Sequence, residues 1–302
     1  MRVDPLYVPN LVNSLDQVSA TEQGLSAELA SGSQVSSLSD KPSAAADNVV
    51  LTAQIAQDDT FTQTAATTEG RLQVGDSALG SVVSQLTSAI TLATQANNGT
   101  LNSSNLEGIS SQLAGIRDEV LGLANTSYLG SYIFSGSKGA TQPFILNSAT
   151  SPATVTYNGD GKTSAIATPN GQSIATNLPG GPLFTSGVTG TDVFEALNAL
   201  VADYASGSAS PTALADTANL SSALNHVSDQ RVALDNSITA LQGAASYTQT
   251  ESAQITAAQT TLLQADFGKV STQLSAAETQ QTALYDVIST LEKGSLFDYV
   301  GQ

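Results

Sequence analysis

The feature that most constrains this chain is a change of period along it. Near the N-terminus Leu11, Leu15, Val18, Leu25 and Leu29 follow at alternating four- and three-residue steps, with Glu22 in one slot. Near the C-terminus Phe267, Val270, Leu274, Ala277, Gln281, Leu284, Ile288 and Leu291 keep the same alternation, again with one polar slot. Such spacing averages about 3.5 residues, the repeat of a coiled-coil seam. Between the seams, Leu72, Leu79, Val82, Leu86 and Ala93 mark a third helix, closed by Asn97-Asn98-Gly99-Thr100. Leu106, Ile109, Leu113, Ile116, Val120 and Leu123 mark a fourth, opening behind a Ser103-Ser104 cap region. Leu220, Leu224, Val227, Leu234, Ile238 and Leu241 begin a fifth that runs on to Leu263, a helix of roughly 65 Å at 1.5 Å per residue.

From residue 128 to about 190 the helical period stops. Ser135-Gly136, Asn158-Gly159-Asp160-Gly161, Pro169-Asn170-Gly171 and Pro179-Gly180-Gly181-Pro182 crowd in, with short alternating runs at 132–134 and 154–157. This pattern predicts a small β domain. A short amphipathic helix over 192–204 and a linker over 205–211 lead back into helix. The fold expected is therefore mainly α: a long antiparallel helical rod or coiled coil formed by both chain ends, with a small inserted β-rich outer domain. The expected segments are an N-terminal coiled coil over 1–40, rod halves over 41–130 and 206–266, the β-rich domain over 131–205, and a C-terminal coiled coil over 267–302.

A short helix with one narrow apolar stripe is marginal in water, because nucleation is costly and little area is buried. Each terminal seam needs the other, and two helices alone do not cover each other. The ends are therefore expected to be loose in the free subunit and ordered among neighbours, with binding supplying the ordering free energy. The residues expected at a partner interface are Leu11, Leu15, Val18, Leu25, Leu29, Leu274, Leu284, Ile288, Leu291, Phe297 and Tyr299.

Charge narrows the partners. With 26 acidic and 9 basic side chains the net charge is -17, which repels phosphate backbones and anionic lipid surfaces. Charged residues are only 12% of the chain, so Ser, Thr, Asn, Gln and Ala make up a surface suited to side-by-side packing. There is no Cys, which excludes disulfides, thiolate metal sites and thiol nucleophiles. Met1-Arg2-Val3-Asp4-Pro5 carries no secretory signal pattern, and no apolar run approaches the length of a membrane span.

Four short motifs then resemble a known family. Leu29-Ala30-Ser31-Gly32 followed by Ser39-Asp40-Lys41-Pro42-Ser43-Ala44-Ala45 is similar to the "LASG…SDxPxAA" opening of flagellar hook-associated protein 3 (FlgL) and, more loosely, of flagellins. Gln95-Ala96-Asn97-Asn98-Gly99-Thr100 resembles the family's "QAANGT" break. Tyr132-Ile133-Phe134-Ser135-Gly136 with Gln142-Pro143-Phe144 resembles its "YLFxG…PF" entry to the outer domain, and Ser295-Leu296-Phe297-Asp298-Tyr299-Val300 its "SLLDYL" terminus. The Asp40-Lys41-Pro42 stretch stands where flagellins usually show "DDAAG", which favours the junction protein over flagellin. The resemblance implies a subunit of the hook-filament junction, outside the cell, exported without a cleaved signal peptide. It also implies other copies in a ring, the first hook-associated protein below, flagellin above, and an export chaperone at the C-terminal segment. Phe297 and Tyr299 are candidates for contact with a neighbour or that chaperone. One departure stands out: Ile90-Thr91 occupies the place of an arginine and glutamate pair, so apolar packing must replace any ionic contact there.

Catalytic features are weak, and no catalytic, cofactor or metal site is expected. Gly159-Asp160-Gly161-Lys162-Thr163 imitates the end of a phosphate-binding loop, but Thr156 stands where the first glycine belongs and a strand follows, so a hairpin turn is expected. His226 has no nucleophile near it in sequence and reads as structural. Gly136-Ser137-Lys138-Gly139 lacks nucleophile-elbow spacing, and Asp58-Asp59 reads as a solvated helix face. A flagellin-type filament subunit and, further behind, a secreted enzyme are the alternatives.

Overall fold

The computed structural model describes residues 7–35, 41–185 and 192–300, with side chains over 9–35, 41–185 and 192–290. The chain is mainly α, with a few small antiparallel sheets, as the periods predict. It divides into two compact units: an end unit of Met1–Gln57 with Glu251–Gln302, and a middle unit of Asp58–Thr250.

The end unit holds α1 (Tyr7–Ser31), the start of α2 (Pro42–Asn97), the end of α6 (Ala213–Leu263) and α7 (Phe267–Val300). Gly32 ends α1 at φ +68°, its amide donating to the Glu28 carbonyl at 2.9 Å; a left-handed residue here closes the helix at least cost when it is glycine. The two helix breaks then pair. Ser33 bridges Gln264 in antiparallel sense, the Ala265 amide donates to the Gly32 carbonyl at 2.9 Å, and the Gln34 amide donates to the Leu263 carbonyl at 2.7 Å. The Gln34 side-chain amide adds a bond to the Leu262 carbonyl. Asp266 caps α7, accepting from the Lys269 amide at 3.0 Å. Because the end of α1 is tied beside the start of α7 and the helices pack together, they run antiparallel. On the other pair, Gln259 of α6 donates to Asn48 and Thr52 of α2, both at 2.8 Å.

The middle unit holds the rest of α2 and α6, with α3 (Ser103–Ala124), α4 (Gly180–Phe184) and α5 (Val193–Tyr204). Leu79, Val82 and Leu86 of α2, Leu113 and Val120 of α3, and Leu220 and Val227 of α6 are fully buried in one core. The break at Asn97 has a tertiary role. The fully buried Tyr204 donates from its hydroxyl to Asn97 Oδ1 at 2.8 Å, and Asn97 Nδ2 donates to Thr217 Oγ1 at 3.1 Å, tying the ends of α2 and α5 to the start of α6. Midway along, the Arg231 guanidinium grips Asp76 with bonds of 2.6 and 3.0 Å.

The β-rich stretch is three separate two-stranded hairpins: β1 (Ser127–Tyr128) with β2 (Ser131–Tyr132), β3 (Phe144–Asn147) with β4 (Thr154–Tyr157), and β5 (Ala165–Ala167) with β6 (Ser173–Ala175). Isolated hairpins are marginal, and the β3–β4 hairpin is held by aromatic packing. Phe144 of β3 meets Phe184 of α4 edge-on at 5.3 Å between ring centroids and Phe194 of α5 at 5.4 Å, and Phe134 stands edge-on to Phe184 at 5.7 Å.

The rod half expected from residue 41 opens as one helix at Pro42, because proline suits the first helical position and the Ala, Thr and Gln that follow form helix without an apolar stripe. Two details differ from the sequence reading. The α3 cap is Asn102, whose side chain accepts from the Asn105 amide at 2.8 Å, not Ser103 or Ser104. The fifth helix starts at Ala213 and covers 51 residues.

The long helices share a surface habit. Thr52, Thr64, Ser77, Ser81, Thr87, Ser88, Thr91 and Thr94 of α2 each turn the hydroxyl back to the carbonyl four residues earlier.

Candidate assembly interface

The seam residues lie on the α1 and α7 helices, which pack together. Val18 on α1 and Val270 on α7 are buried, with Ala277. Leu11, Leu15, Leu25 and Leu29 are only half-buried, as are Leu274, Leu284 and Ile288, and so are the polar slots Glu22 and Gln281. The expected first seam residue of α7, Phe267, is 51% exposed, because the Asp266 cap turns the chain there and leaves its ring over Gly32, 3.7 Å from where a Cβ would stand. For Leu291, Phe297 and Tyr299 only the helical backbone of α7 is described, and their side-chain surroundings lie outside the described residues. Ser39 and Asp40 of the opening motif also lie outside them.

The structure adds residues that heptad counting missed. Val12 is exposed beside Leu11, Tyr285 beside Leu284, and Val287 beside Ile288. Each widens the apolar stripe past the seam, and apolar residues immediately adjoining seam positions were the signal in the sequence. Val49 and Val50 at the start of α2 are more exposed still, at 60% and 67%. The end unit therefore presents apolar surface that its own helices leave uncovered.

The features that imitate catalytic sites resolve into structural ones. The segment 158–164 is not a hairpin turn, since it joins β4 of one hairpin to β5 of another. Asp160 anchors it by accepting from the Ser137 amide at 2.7 Å, from the Ser137 hydroxyl, and from the Lys162 amide at 3.2 Å. Those donors hold the carboxyl below the usual aspartate range. Ser137 is thereby used as a tether. His226 on α6 shares a 2.8 Å hydrogen bond between Nε2 and the Pro182 carbonyl, fastening α4 to α6. Asp58 corrects the expectation of a solvated face: it is fully buried, while Asp59 is exposed, because adjacent residues on a helix point about 100° apart. Among the described residues no group of His, Cys, Asp and Glu is placed to hold a metal ion, and no helix is long and apolar enough to cross a membrane. At the departure from the motif, Ile90 packs against the core and Thr91 faces out.

Comparison with known proteins agrees with the motifs. Residues 8–139 match the bacterial flagellin N-terminal helical region. The chain is 33% identical over 118 residues to flagellar hook-associated protein 3 of Escherichia coli, covering 39% of this chain and 37% of that protein. It is 32% identical over 169 residues to flagellar hook-associated protein 3 of Salmonella typhimurium, covering 54% and 50% respectively. The matches thus span half or less of the length of these curated relatives. Two crystal structures from Legionella pneumophila share the fold: flagellar hook associated protein-3, with TM-score 0.62, 16% identity and coverage of 70% of this chain and 98% of that one, and the flagellar junction protein FlgL, with TM-score 0.56, 16% identity and coverage of 65% and 99%. The resemblance to the FlgL type within the flagellin-like proteins is borne out.

Proposed function

We propose that this chain is a structural subunit of the bacterial flagellum that joins hook to filament, and that it carries no catalytic activity. The observation that carries this reading is the incomplete cover of the α1–α7 pair: heptad leucines stay half-exposed and Val12, Tyr285 and Val287 lie open beside them. Apolar surface left open on both chain ends is satisfied when copies stand together. The similarity to proteins named for the hook and the junction supplies the setting. In this reading Leu11, Leu15, Val18, Leu25, Leu29, Leu274, Leu284, Ile288, Leu291, Phe297 and Tyr299 belong to the partner interface. The partners are other copies in a ring, the first hook-associated protein below and flagellin above. An export chaperone takes the C-terminal segment, and the subunit reaches the cell exterior without a cleaved signal peptide.

A strain lacking its own junction protein tests this. Without the chain it makes hooks and sheds flagellin into the medium; with the chain supplied, flagellin is expected on the cell. Flagellin still in the medium, with the chain present at the hook, would overturn the proposal. The match of residues 8–139 to the flagellin N-terminal region favours a second reading, a filament subunit. Seeded elongation of the purified chain alone into long filaments would select that one.

A further inference from the structure

The β1–β2 hairpin turns through Leu129 and Gly130, at φ +50° and +80°. With Tyr128 paired to Ser131 this is a two-residue turn whose central residues are both left-handed, a place where Asn-Gly or Gly-Gly ordinarily stands. A leucine is strained there by its Cβ. It gains nothing from core packing, since Leu129 is 83% exposed, the highest value among the described large apolar side chains. The same unit carries a groove of about 660 Å³ along α2 and α3. Leu92 and Ile116 line it with apolar surface, Thr91 and Gln112 flank it, and a Cβ at Gly115 would meet no atom within 4 Å. Charge matches as well. The Tyr132 amide donates to the Gly139 carbonyl at 2.8 Å, which seats the exposed Lys138 beside the hairpin; its ammonium donates only long bonds of 3.3 and 3.4 Å to the neutral Asn158 and Gly159 carbonyls, which leaves its charge uncompensated, while the exposed Glu119 lines the groove.

We propose that Leu129 of one copy seats in the α2–α3 groove of a second copy, with Lys138 facing Glu119 across the contact. Knob and groove are different places on one chain, so the contact is head-to-tail and either closes into a ring or runs on. This deepens the junction reading and rests on its premise that copies assemble.

The chain has no Cys, so single-cysteine variants of the full chain report the contact cleanly. Leu129→Cys and Gly115→Cys, co-expressed in the strain lacking its junction protein, are expected to give a disulfide-linked dimer that neither gives alone. Leu129→Cys with Val232→Cys is expected to give none. Flagellin retained on the cell without the Leu129–Gly115 link, or with equal linking at Val232, overturns the docking and leaves the junction reading standing. If the wild-type chain fails to retain flagellin, the junction reading falls, and the same pair mixed as purified protein decides the docking by the presence or absence of the link. Two further variants separate docking from folding. Leu129→Gly removes the strained Cβ and Gly115→Leu removes a helix glycine, so both are expected to hold or raise Tm. Each is nevertheless expected to weaken association between copies at least tenfold by sedimentation; unchanged association overturns the proposal.

Discussion

The middle unit encloses Leu79, Val82, Leu86, Leu113 and Phe144 with no exposure at all, while in the end unit the only described buried side chains larger than alanine are Val18 at 8% and Val270 at 3%. Both regions are built from long helices with apolar residues on the same repeat, so periodicity does not set them apart. What differs is the number of neighbours around each stripe. In the middle unit α2, α3, α5, α6 and the aromatic cluster share one core, and every apolar stripe has somewhere to go. In the end unit α1 meets α7, and the leucines between them stay half-open. A heptad stripe thus states a demand for cover without saying whether the chain itself or another copy meets it.

Amide exchange on the free chain is the strongest way to break this comparison. Amides of α1 and α7 are expected to exchange at least about a hundredfold faster than those around Leu86 and Leu113, since local opening is easier where few apolar contacts are lost. Equal protection in both units would refute the contrast. Truncation comes next. Phe144→Ala is expected to cost about 3 to 5 kcal/mol in chemical denaturation, and Leu284→Ala about 1 kcal/mol, because a half-exposed site loses less transfer energy and leaves no enclosed cavity. Comparable losses would mean the end unit is as well packed as the middle.

Electrostatic changes sharpen the picture within the middle unit. Asp216 has its carboxyl raised above the ordinary aspartate range, first by burial and then by the negative charge of Asp203. A raised folded-state value means that Asp216 favours the fold while protonated and weakens it as pH rises from about 4 towards neutrality. Asp216→Asn is therefore expected to raise stability by about 1 kcal/mol at most at neutral pH, since solvent screens a partly exposed carboxylate, with the gain vanishing in acid; thermal melts across that range check it. The smallest effect belongs to Arg231→Met. Asp76 lies below its ordinary range chiefly through the Arg231 hydrogen bond, so the pair stabilises above about pH 4 and is lost as pH falls through the lowered value. Both side chains are partly solvent-exposed, and screening limits the expected loss to about 1 kcal/mol or less at neutral pH.

What could be read from residue order follows the same division. Local spacing located α1, α3 and α7 and most of the buried positions of α2 and α6, because a regular helix stripe is a local property. The first part of α2 was expected as helix within the rod half from residue 41, but its alanines and threonines carry no stripe to say which face is buried, and Asp58 was placed on the wrong face for that reason. How the β-rich stretch divides into three hairpins, and the meeting of Phe134, Phe144, Phe184 and Phe194, depend on partners distant in sequence. The Arg231–Asp76 pair spans 155 positions and leaves no local trace. At the candidate interface the seam was visible, whereas the open neighbours Val12, Tyr285 and Val287 needed the burial of the seam to be seen.

The hydroxyls along α2 carry a last consequence. Thr52, Thr64, Ser77 and their like already direct their protons into the backbone beneath them. When another molecule lies down on such a surface, few strong bonds to water have to be stripped away, and few dangling chains have to be stilled. Where such hydroxyls line it, from Ser77 to Asn97, α2 carries no charged side chain, so its flank offers a smooth surface, and any choice of neighbour is left to the few leucines, valines and charges that stand out elsewhere.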